Sequence, residues 1–273
     1  MGKIKFTKAV ATGNDFIIID NRTGRLTEKN LAAFTRKACD RKRGIGADGV
    51  LFIERSRRAD FRMRIFNSDG SEAGMCGNGS RCAALFAATR KIAKSKMTIE
   101  TLAGLLNAEA RRDVIKVRLT DPKDIRWNFC LMINKCPYKV SFADTGVPHV
   151  IHFTDDLEAI DVRNIGSHIR HHGEFSPEGT NADFVKVVNA HTIRIRTYER
   201  GVEDETLACG TGAVASAIIS AETERMKSPI VVETLGGERV NVYFEMKNGN
   251  FKNVYLEGRA ELVYEGDYLI NSK

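Results

Sequence analysis

The sequence predicts an α+β fold of two pseudo-symmetric repeats, each a curved, mainly antiparallel sheet wrapped around a buried central helix. Three observations support this fold class. Four short blocks of sequence occur twice in the same order, short apolar segments of β type dominate both halves, and each half contains one helical stretch that is apolar on nearly every side. A helix without a polar face is buried, so we expect a sheet to cover it.

The repeat is visible in four pairs of matching segments. Three pairs are separated by 133 residues (209 − 76), and one is separated by 135 (182 − 47), which implies an insertion of two residues. The pairs are Thr12-Gly13 with Thr145-Gly146, Ala47-Asp48 with Ala182-Asp183, Cys76-Gly-Asn-Gly79 with Cys209-Gly-Thr-Gly212, and Ile99–Gly104 with Val232–Gly237. We therefore expect two copies of one unit, residues 1–119 and residues 120–263.

Short apolar and β-branched runs predict the strands of each copy. The segment Met1–Val10 alternates apolar and basic residues, as a strand does. The other predicted strands are Phe16–Asp20, Val50–Glu54, Phe61–Phe66, Met97–Thr101 and Val114–Leu119 in the first half, and Val150–Phe153, Phe184–Val188, Thr192–Tyr198, Ile230–Thr234 and Asn253–Leu256 in the second.

Two kinds of helix are predicted. Ala83–Ala88 and Ala213–Ala221 continue directly from the repeated cysteine motifs and are the buried central helices. Thr27–Cys39 carries its apolar residues on one stripe, which indicates a surface helix. The stretch from residue 156 to about residue 170 is predicted to be a second surface helix.

Composition excludes several classes of protein. The chain has 273 residues, 42% of them hydrophobic, and no apolar run approaches the roughly 18 residues of a membrane span. The N-terminus lacks the apolar core of a signal peptide, so a cytoplasmic protein without a membrane partner is expected. The six cysteines are scattered and form no C-x-x-C pair, so we expect free thiols and no metal site. His168, His171 and His172 are interpreted as residues of an exposed loop.

The net charge of +7 arises largely from two basic clusters, Arg36–Arg43 and Arg55–Arg64. Phe61 is the one aromatic residue among these charges, whereas a single-strand-binding surface interleaves several, so exposed faces of a helix and a strand are favoured over nucleic-acid binding. Gly44–Gly49 matches G-x-G-x-x-G, but a basic segment precedes it and a strand follows it. A dinucleotide site requires the opposite order, so none is predicted.

The motif Cys-Gly-x-Gly, which opens each central helix, carries the predicted chemistry. Its glycines allow the backbone to approach a ligand, and the first turn of the helix presents unpaired N–H groups that attract an anion. The helix end is also expected to favour the thiolate form of Cys76 and of Cys209. Two such motifs that face each other would place two acidified thiols on either side of one small anion. The alternative is that both cysteines are buried core residues at tight turns.

Two opposed thiols suit the inversion of an amino-acid α-carbon. One group removes the α-proton from one face while the other delivers a proton to the opposite face, and the carbanion between them is stabilised by fixed donors. The sequence therefore predicts a cofactor-independent isomerase with Cys76 and Cys209 as its catalytic residues.

Two longer segments resemble the two active-site signatures of the diaminopimelate epimerase family. They are Phe66–Cys82 (FNSDGSEAGMCGNGSRC) and Tyr198–Gly212 (YERGVEDETLACGTG). Thr12–Phe16, Gly44–Asp48 and Asn181–Phe184 also fit, so the resemblance extends over almost the whole chain. It implies interconversion of LL- and meso-diaminopimelate, in lysine and peptidoglycan-precursor synthesis, without pyridoxal phosphate or metal. It also implies that a last strand, about 264–273, returns to the first unit.

The resemblance also implies roles for particular residues. Cys76 and Cys209 match the acid/base cysteines, and His149 matches a histidine close to the site, where it either supports the chemistry or is only packed. The residues that match substrate-binding positions are Asn14, Asn67, Gly77, Asn78, Asn181, Glu199, Arg200, Gly210 and Thr211. The guanidinium of Arg200 suits a carboxylate, and the carboxylate of Glu199 suits an ammonium. For each asparagine, turn formation is the alternative.

Two positions depart from the family pattern, and several alternatives stay open. Val147 stands where many members have asparagine, and Gly49 stands where some have a substrate-contacting glutamine. A racemase of the same fold that acts on another small amino acid is the main alternative function, and a nucleic-acid-binding protein is the less favoured one. The sequence leaves a homodimer open.

Overall fold

The structure is a computed structural model that describes residues 2–247 and 249–270. Its contacts divide the chain into two units. Unit 1 contains residues up to 117 and the C-terminal segment from 258, and unit 2 contains residues 118–257.

Unit 1 is one sheet with two helices. Its strands are β1 (Gly2–Ala11), β2 (Asn14–Asp20), β3 (Gly49–Glu54), β4 (Phe61–Asn67), β5 (Glu72–Ala73), β6 (Lys96–Thr101), β7 (Gly104–Arg111), β8 (Val114–Arg118) and β18 (Glu261–Ile270), and its helices are α1 (Glu28–Cys39) and α2 (Gly77–Thr89). The strands lie in the order β18-β1-β2-β3-β4-β6-β7-β8, with β5 paired to β4. Only the pairs β2–β3 and β4–β6 are parallel among these.

Unit 2 repeats this arrangement. Its strands are β9 (Lys123–Ile133), β10 (Cys136–Asp144), β11 (Pro148–Phe153), β12 (Asn181–Asn189), β13 (Thr192–Glu199), β14 (Asp204–Thr206), β15 (Ile230–Glu233), β16 (Arg239–Lys247) and β17 (Asn250–Arg259), and its helices are α3 (Val162–Arg170), a short 3-10 helix (Gly173–Phe175) and α4 (Gly210–Thr223). The order is β9-β10-β11-β12-β13-β15-β16-β17, with β14 paired to β13 and the parallel pairs β11–β12 and β13–β15 at the equivalent places.

In each unit the sheet lies between a central helix and a surface helix. In unit 1, Ile17 and Phe52 pack in the cluster that contains residues of α1, whereas Leu51 and Ile65 approach Gly79 of α2 from the other face. In unit 2, Phe184 packs in the cluster that contains residues of α3. Because the strands are covered on both faces, their residues are apolar on both faces, which explains the continuous apolar runs in the sequence.

The central helices are buried as predicted. Nine of the residues of α2 and ten of α4 are buried, and the small side chains of both helices allow the sheet to approach closely. The predicted fold class, two pseudo-symmetric repeats with a mainly antiparallel sheet around a central helix, is confirmed. None of the helices in the described ranges is long and apolar enough to cross a membrane.

Some elements differ from their predicted bounds. Helix α3 begins only at Val162, because the side chain of Asp161 accepts a hydrogen bond from the N–H of Asn164 and caps the helix there. The hairpin of β9 and β10 was not predicted from the sequence. The last strand runs from Glu261 to Ile270, and the predicted residues 271–273 lie outside the described residues.

Candidate active site

In unit 1, Cys76 lies at the start of α2. It is the N-cap residue, and its sulfur accepts a hydrogen bond of 3.4 Å from the backbone N–H of Gly79. Gly77 is the first helical residue, and Cys76 is half-buried. The sulfur therefore lies where the partial positive charge of the helix start favours negative charge.

Next to Cys76, a chain of side-chain amides has a fixed orientation. The fully buried Arg81 donates to the side-chain oxygen of Asn78 and to the hydroxyl of Thr12. The amide nitrogen of Asn78 donates to the side-chain oxygen of Asn14 at 2.6 Å, and the amide nitrogen of Asn14 donates to Asp48 at 3.1 Å. Arg81 and Asp48 thus determine which way both amides point.

Asp48 is itself held by a charged cluster. The guanidinium of Arg41 bridges Asp48, at 2.9 Å, and Asp15, at 2.7 Å. Hydrogen bonds and charge from Arg41 and Lys8 outweigh the effect of burial and lower the pKa of Asp15 to about 2. The cluster thus holds in place the carboxylate of Asp48 that accepts from Asn14.

In unit 2, Cys209 precedes α4 and is connected to a buried histidine. Its sulfur lies 3.4 Å from the hydroxyl oxygen of Thr211, which lies 3.0 Å from Nε2 of His149. Nδ1 of His149 lies 2.7 Å from Asp183, and both side chains are fully buried. Because the carboxylate accepts from Nδ1–H, Nε2 can accept from the hydroxyl of Thr211, which leaves the hydroxyl oxygen to accept from the thiol.

The predicted acidity of Cys209 is wrong in this structure. Burial, followed by the nearby carboxylates of Glu199 and Asp183, raises the pKa of the Cys209 thiol well above its ordinary value. Hydrogen bonds with the side chain of Thr211 and with the backbone N–H of Gly212 lower the pKa of Cys209, but by less than burial and the carboxylates raise it. Cys209 is therefore held as the neutral thiol, the form that a proton donor needs.

Asn181 connects this site to the loop that follows β13. Its side-chain oxygen accepts the backbone N–H of Arg200 at 2.7 Å, and its amide nitrogen donates to the carbonyl of Pro148 at 3.0 Å. The guanidinium of Arg200 donates to the carbonyls of Glu178 and Gly179. Asn181 thereby fixes the backbone from which the Arg200 side chain extends.

Glu199 ends β13 and is largely enclosed. Desolvation raises the pKa of Glu199, although the hydroxyl of Thr206 donates to its carboxylate at 3.0 Å. A partly desolvated carboxylate gains stability when an ammonium group approaches it.

Asn67 and the two departures from the family pattern have structural explanations. The amide nitrogen of Asn67 donates to the hydroxyl of Ser71 at 3.0 Å within an exposed turn, which is the alternative role considered for it. A Cβ atom on Gly49 would lie 2.6 Å from the carbonyl oxygen of Phe66, so β3 excludes a glutamine there. Val147 contributes its backbone carbonyl, which accepts from the N–H of Thr145.

Several residues of these networks were not predicted as site residues, among them Asp183, Arg81 and Asp48. Asp48 and Asp183 stood in the repeated Ala-Asp blocks, and this recurrence was the available signal. Arg81 has no repeat equivalent, because its second-half counterpart is Val214, but it lies within the first signature segment, Phe66–Cys82. In the described part of the chain, no group of three or more His, Cys, Asp or Glu residues is arranged to hold a metal ion.

Gly212 is expected to tolerate no side chain. A Cβ atom there would lie 2.4 Å from the carboxylate of Asp183, whereas one on the equivalent Gly79 would meet only the flexible ends of Leu51 and Ile65 at 3.1 and 3.2 Å. We expect Gly212→Ala to lower the free energy of unfolding by about 1–3 kcal/mol and Gly79→Ala by clearly less. Urea denaturation of both variants measures this, and equal losses would contradict the geometry.

Comparison with known proteins gives one family. The family model described as Diaminopimelate epimerase matches residues 6–124 and 141–263. A protein of Methanocella arvoryzae named diaminopimelate epimerase is 44% identical, with 98% of this chain and 97% of that protein covered. One of the same name from Aquifex aeolicus is 42% identical, with 96% and 97% covered.

Solved structures share the fold at low sequence identity. A Bacillus anthracis phenazine biosynthesis protein of the PhzF family superposes with a TM-score of 0.78 at 20% identity, over 99% of this chain and all of the other. A probable proline racemase from Agrobacterium radiobacter has a TM-score of 0.67 at 14% identity, over 98% and 93%.

Proposed function

The chain belongs to the diaminopimelate epimerase family, and from that premise we propose that Cys76 and Cys209 are its two acid/base catalysts. The protein is an isomerase that interconverts LL- and meso-2,6-diaminopimelate, a step of lysine and peptidoglycan-precursor synthesis. The observation that carries the assignment of residues is their equivalence. Each cysteine occupies the N-cap position of the central helix of its unit and is the first residue of a Cys-Gly-x-Gly motif.

The two thiols differ in their surroundings, and this difference supports a division of labour. Cys209 stands beside Glu199 and Asp183, which disfavour its thiolate. Cys76 accepts a hydrogen bond at the start of α2, which favours its thiolate. In one direction of the reaction, Cys76 is therefore proposed to be the base and Cys209 the acid, and the two roles are exchanged in the reverse direction. After one inversion in the first direction, Cys76 has gained a proton and is a thiol, while Cys209 has lost one and is a thiolate. Proton exchange with solvent then restores the starting state of both groups.

The helix starts are the proposed site for the reacting carboxylate. Gly77 and Asn78 begin α2, and Gly210 and Thr211 begin α4, so backbone N–H groups without helical partners are available in both units. As the α-proton leaves, negative charge moves onto the carboxylate oxygens. Donors fixed at that place stabilise the charge without reorganising.

The remaining predicted residues are proposed to bind the polar groups of the substrate. Glu199 would accept hydrogen bonds from an ammonium group, and Arg200 would donate a bidentate pair to a carboxylate. Asn14, Asn67 and Asn181 complete the predicted set, and of these Asn14 is already oriented by Asn78 and Asp48. His149 is proposed to support Cys209 through Thr211.

The wider organisation is proposed in the same way. The predicted repeats, 1–119 with 264–273 and 120–263, each supply one of the two proposed catalytic cysteines. The reaction is proposed to need neither pyridoxal phosphate nor a metal, because the N–H groups at the helix starts would stabilise the carbanion that such a cofactor otherwise stabilises. The substrate is a small molecule, and the biosynthetic reaction fits a cytoplasmic enzyme that acts without nucleic acid, alone or as a homodimer.

An assay of the purified protein on LL-diaminopimelate, without added cofactor, tests the proposal. We expect meso product to form until the two isomers reach equilibrium. Proline and other free amino acids serve as controls for a racemase of the same fold. Turnover of one of these, with none of LL-diaminopimelate, would contradict the proposed substrate.

A further inference from the structure

In unit 2, an ion pair holds the segment that leads to Cys209. Glu205 lies on β14, four residues before the cysteine, and its carboxylate accepts two hydrogen bonds from the guanidinium of Arg196 on β13, at 2.6 and 2.9 Å. The side chains are only 16% and 13% exposed. A bidentate pair with little access to water fixes both position and orientation.

Unit 1 contains the same pair at the equivalent place. Glu72 on β5 lies four residues before Cys76, and it accepts two hydrogen bonds of 2.7 Å from the guanidinium of Arg64 on β4. Arg64 is 6% exposed. Glu72 and Glu205 are 133 residues apart (205 − 72), and each arginine lies two residues before the strand residue that pairs with its glutamate, Phe66 or Tyr198, so the two pairs are repeat equivalents.

Each arginine also reaches the beginning of a surface helix. The Nη1 group of Arg196 donates to the carbonyls of Leu157 and Ile160, at 2.9 and 3.0 Å, just before α3. The Nη1 group of Arg64 donates to Glu28, the first residue of α1. The arginine thus ties the strand, the segment before the cysteine and the surface helix together.

A second attachment lies two residues before each cysteine. The carbonyl of Leu207 accepts the N–H of Gly236 at 2.9 Å, and the carbonyl of Gly74 accepts the N–H of Ala103 at 3.2 Å. These contacts are repeat equivalents as well, since both donors and both acceptors are 133 residues apart (236 − 103 and 207 − 74). Each cysteine is therefore reached through a segment held at two points.

The groups around the thiols differ between the units, whereas these attachments are the same. The amides of Asn78 and Asn14 adjoin one cysteine, and Thr211 and His149 adjoin the other. The polar groups near the sulfur thus differ between the units, but the segment before each cysteine is held by the same two attachments. Proton transfer depends steeply on the position of the sulfur, because a displacement of about 1 Å can cost about 100-fold in rate.

We propose that Arg64 and Arg196 are positioning residues, each of which acts through its glutamate to hold the thiol of its own unit in place. The inference rests on the proposed function, since it assigns a role toward the two catalytic thiols. This positioning role differs from a general contribution to the stability of the protein, because its effect is confined to one unit. Breaking one pair disturbs one cysteine and leaves the other unchanged.

The test measures both cysteines in the same molecules of Glu205→Gln. The variant is treated with iodoacetamide, and the alkylation rates of Cys209 and Cys76 are read by peptide mass spectrometry. We expect Cys209 to react severalfold faster, because the released segment exposes a buried sulfur, while the rate of Cys76 stays within about twofold. With diaminopimelate, kcat should fall about 10- to 100-fold and KM stay within about threefold. Glu72→Gln should change the rate of Cys76 alone.

Arg163→Met is the matched control, because it removes an exposed ion pair of 2.7 Å with Asp204 on the same short strand β14. It should change neither rate. If the unpaired Arg196 prevents Glu205→Gln from folding, the double variant Arg196→Gln with Glu205→Gln removes both charges and is expected to give the same result.

Equal changes at both cysteines, or no change at Cys209, would overturn the inference. Alkylation needs no substrate. A parent protein without epimerase activity would therefore end the proposed function, while the alkylation rates still decide whether the arginines position the thiols.

Discussion

Replacing either Cys76 or Cys209 by alanine is expected to lower kcat for epimerisation about 10²- to 10⁴-fold, because each change removes one obligatory half of the proton transfer. Neither thiol can substitute for the other, since inversion requires attack on one face and delivery to the opposite face. The measurement is initial rate in both directions, from the LL and from the meso isomer. Cys130→Ala, which removes an exposed cysteine, is the control and should keep the parental rate.

Solvent deuterium shows whether two different thiols take part. When LL-substrate is turned over in deuterated water and the reaction is stopped early, the meso product should carry deuterium at the inverted carbon. The delivering thiol has already exchanged with solvent, so its proton does not come from the substrate. Unreacted LL-substrate should stay largely undeuterated, because the abstracting thiol returns its original proton on reversal. Early product that contains mainly protium, or an alanine variant with near-parental turnover, would contradict the two-thiol mechanism.

Removal of the Arg200 side chain is expected to weaken the stabilisation of the transition state, as measured by kcat/KM, by about 2–5 kcal/mol, by analogy with truncated charge pairs. This corresponds to a loss of about 30- to 5,000-fold at about 1.4 kcal/mol per tenfold. The physical reason is that a substrate carboxylate loses its bidentate donor. Lysine at this position should recover only part of the loss, because an ammonium group cannot match the planar fork.

The measurement compares Arg200→Ala and Arg200→Lys with Arg163→Ala, which removes an exposed arginine of α3. The backbone of Arg200 is held by Asn181, so the loop should keep its course when the side chain is absent. If Arg200→Ala epimerises the substrate nearly as well as the parent, Arg200 does not bind it.

The parts of the fold that could be predicted are those with a local or repeated signal. The apolar stretch of α4 indicates a buried helix from its own composition, and the cysteine motif recurs at a fixed offset. The hairpin of β9 and β10 gives no such signal, because β9 is largely half-buried or exposed, with polar and apolar residues mixed along it. Strand pairing stabilises the hairpin, and that pairing depends on residues that lie far apart in the sequence.

The same distinction applies to the site. The helix start at Cys209 is visible in the sequence, and it suggested an acidic thiol. The opposing effect arises from burial and from Glu199 and Asp183, which folding brings close to the sulfur. His149 could be named as a candidate, but its partners could not, since Asp183 lies 34 residues away along the chain. Sequence motifs thus indicate which groups react, while their protonation is decided by tertiary contacts.

The pairing of β1 with β18 has a consequence for how the protein is synthesised. Strand β1 leaves the ribosome long before β18 and must wait for it, because Gly2 pairs with Ile270 and Val10 with Glu261. All the strands of unit 2 emerge earlier, so its sheet can close during translation. A product that stops before residue 261 would retain both cysteines, but the outer edge of β1 would be left open to other chains.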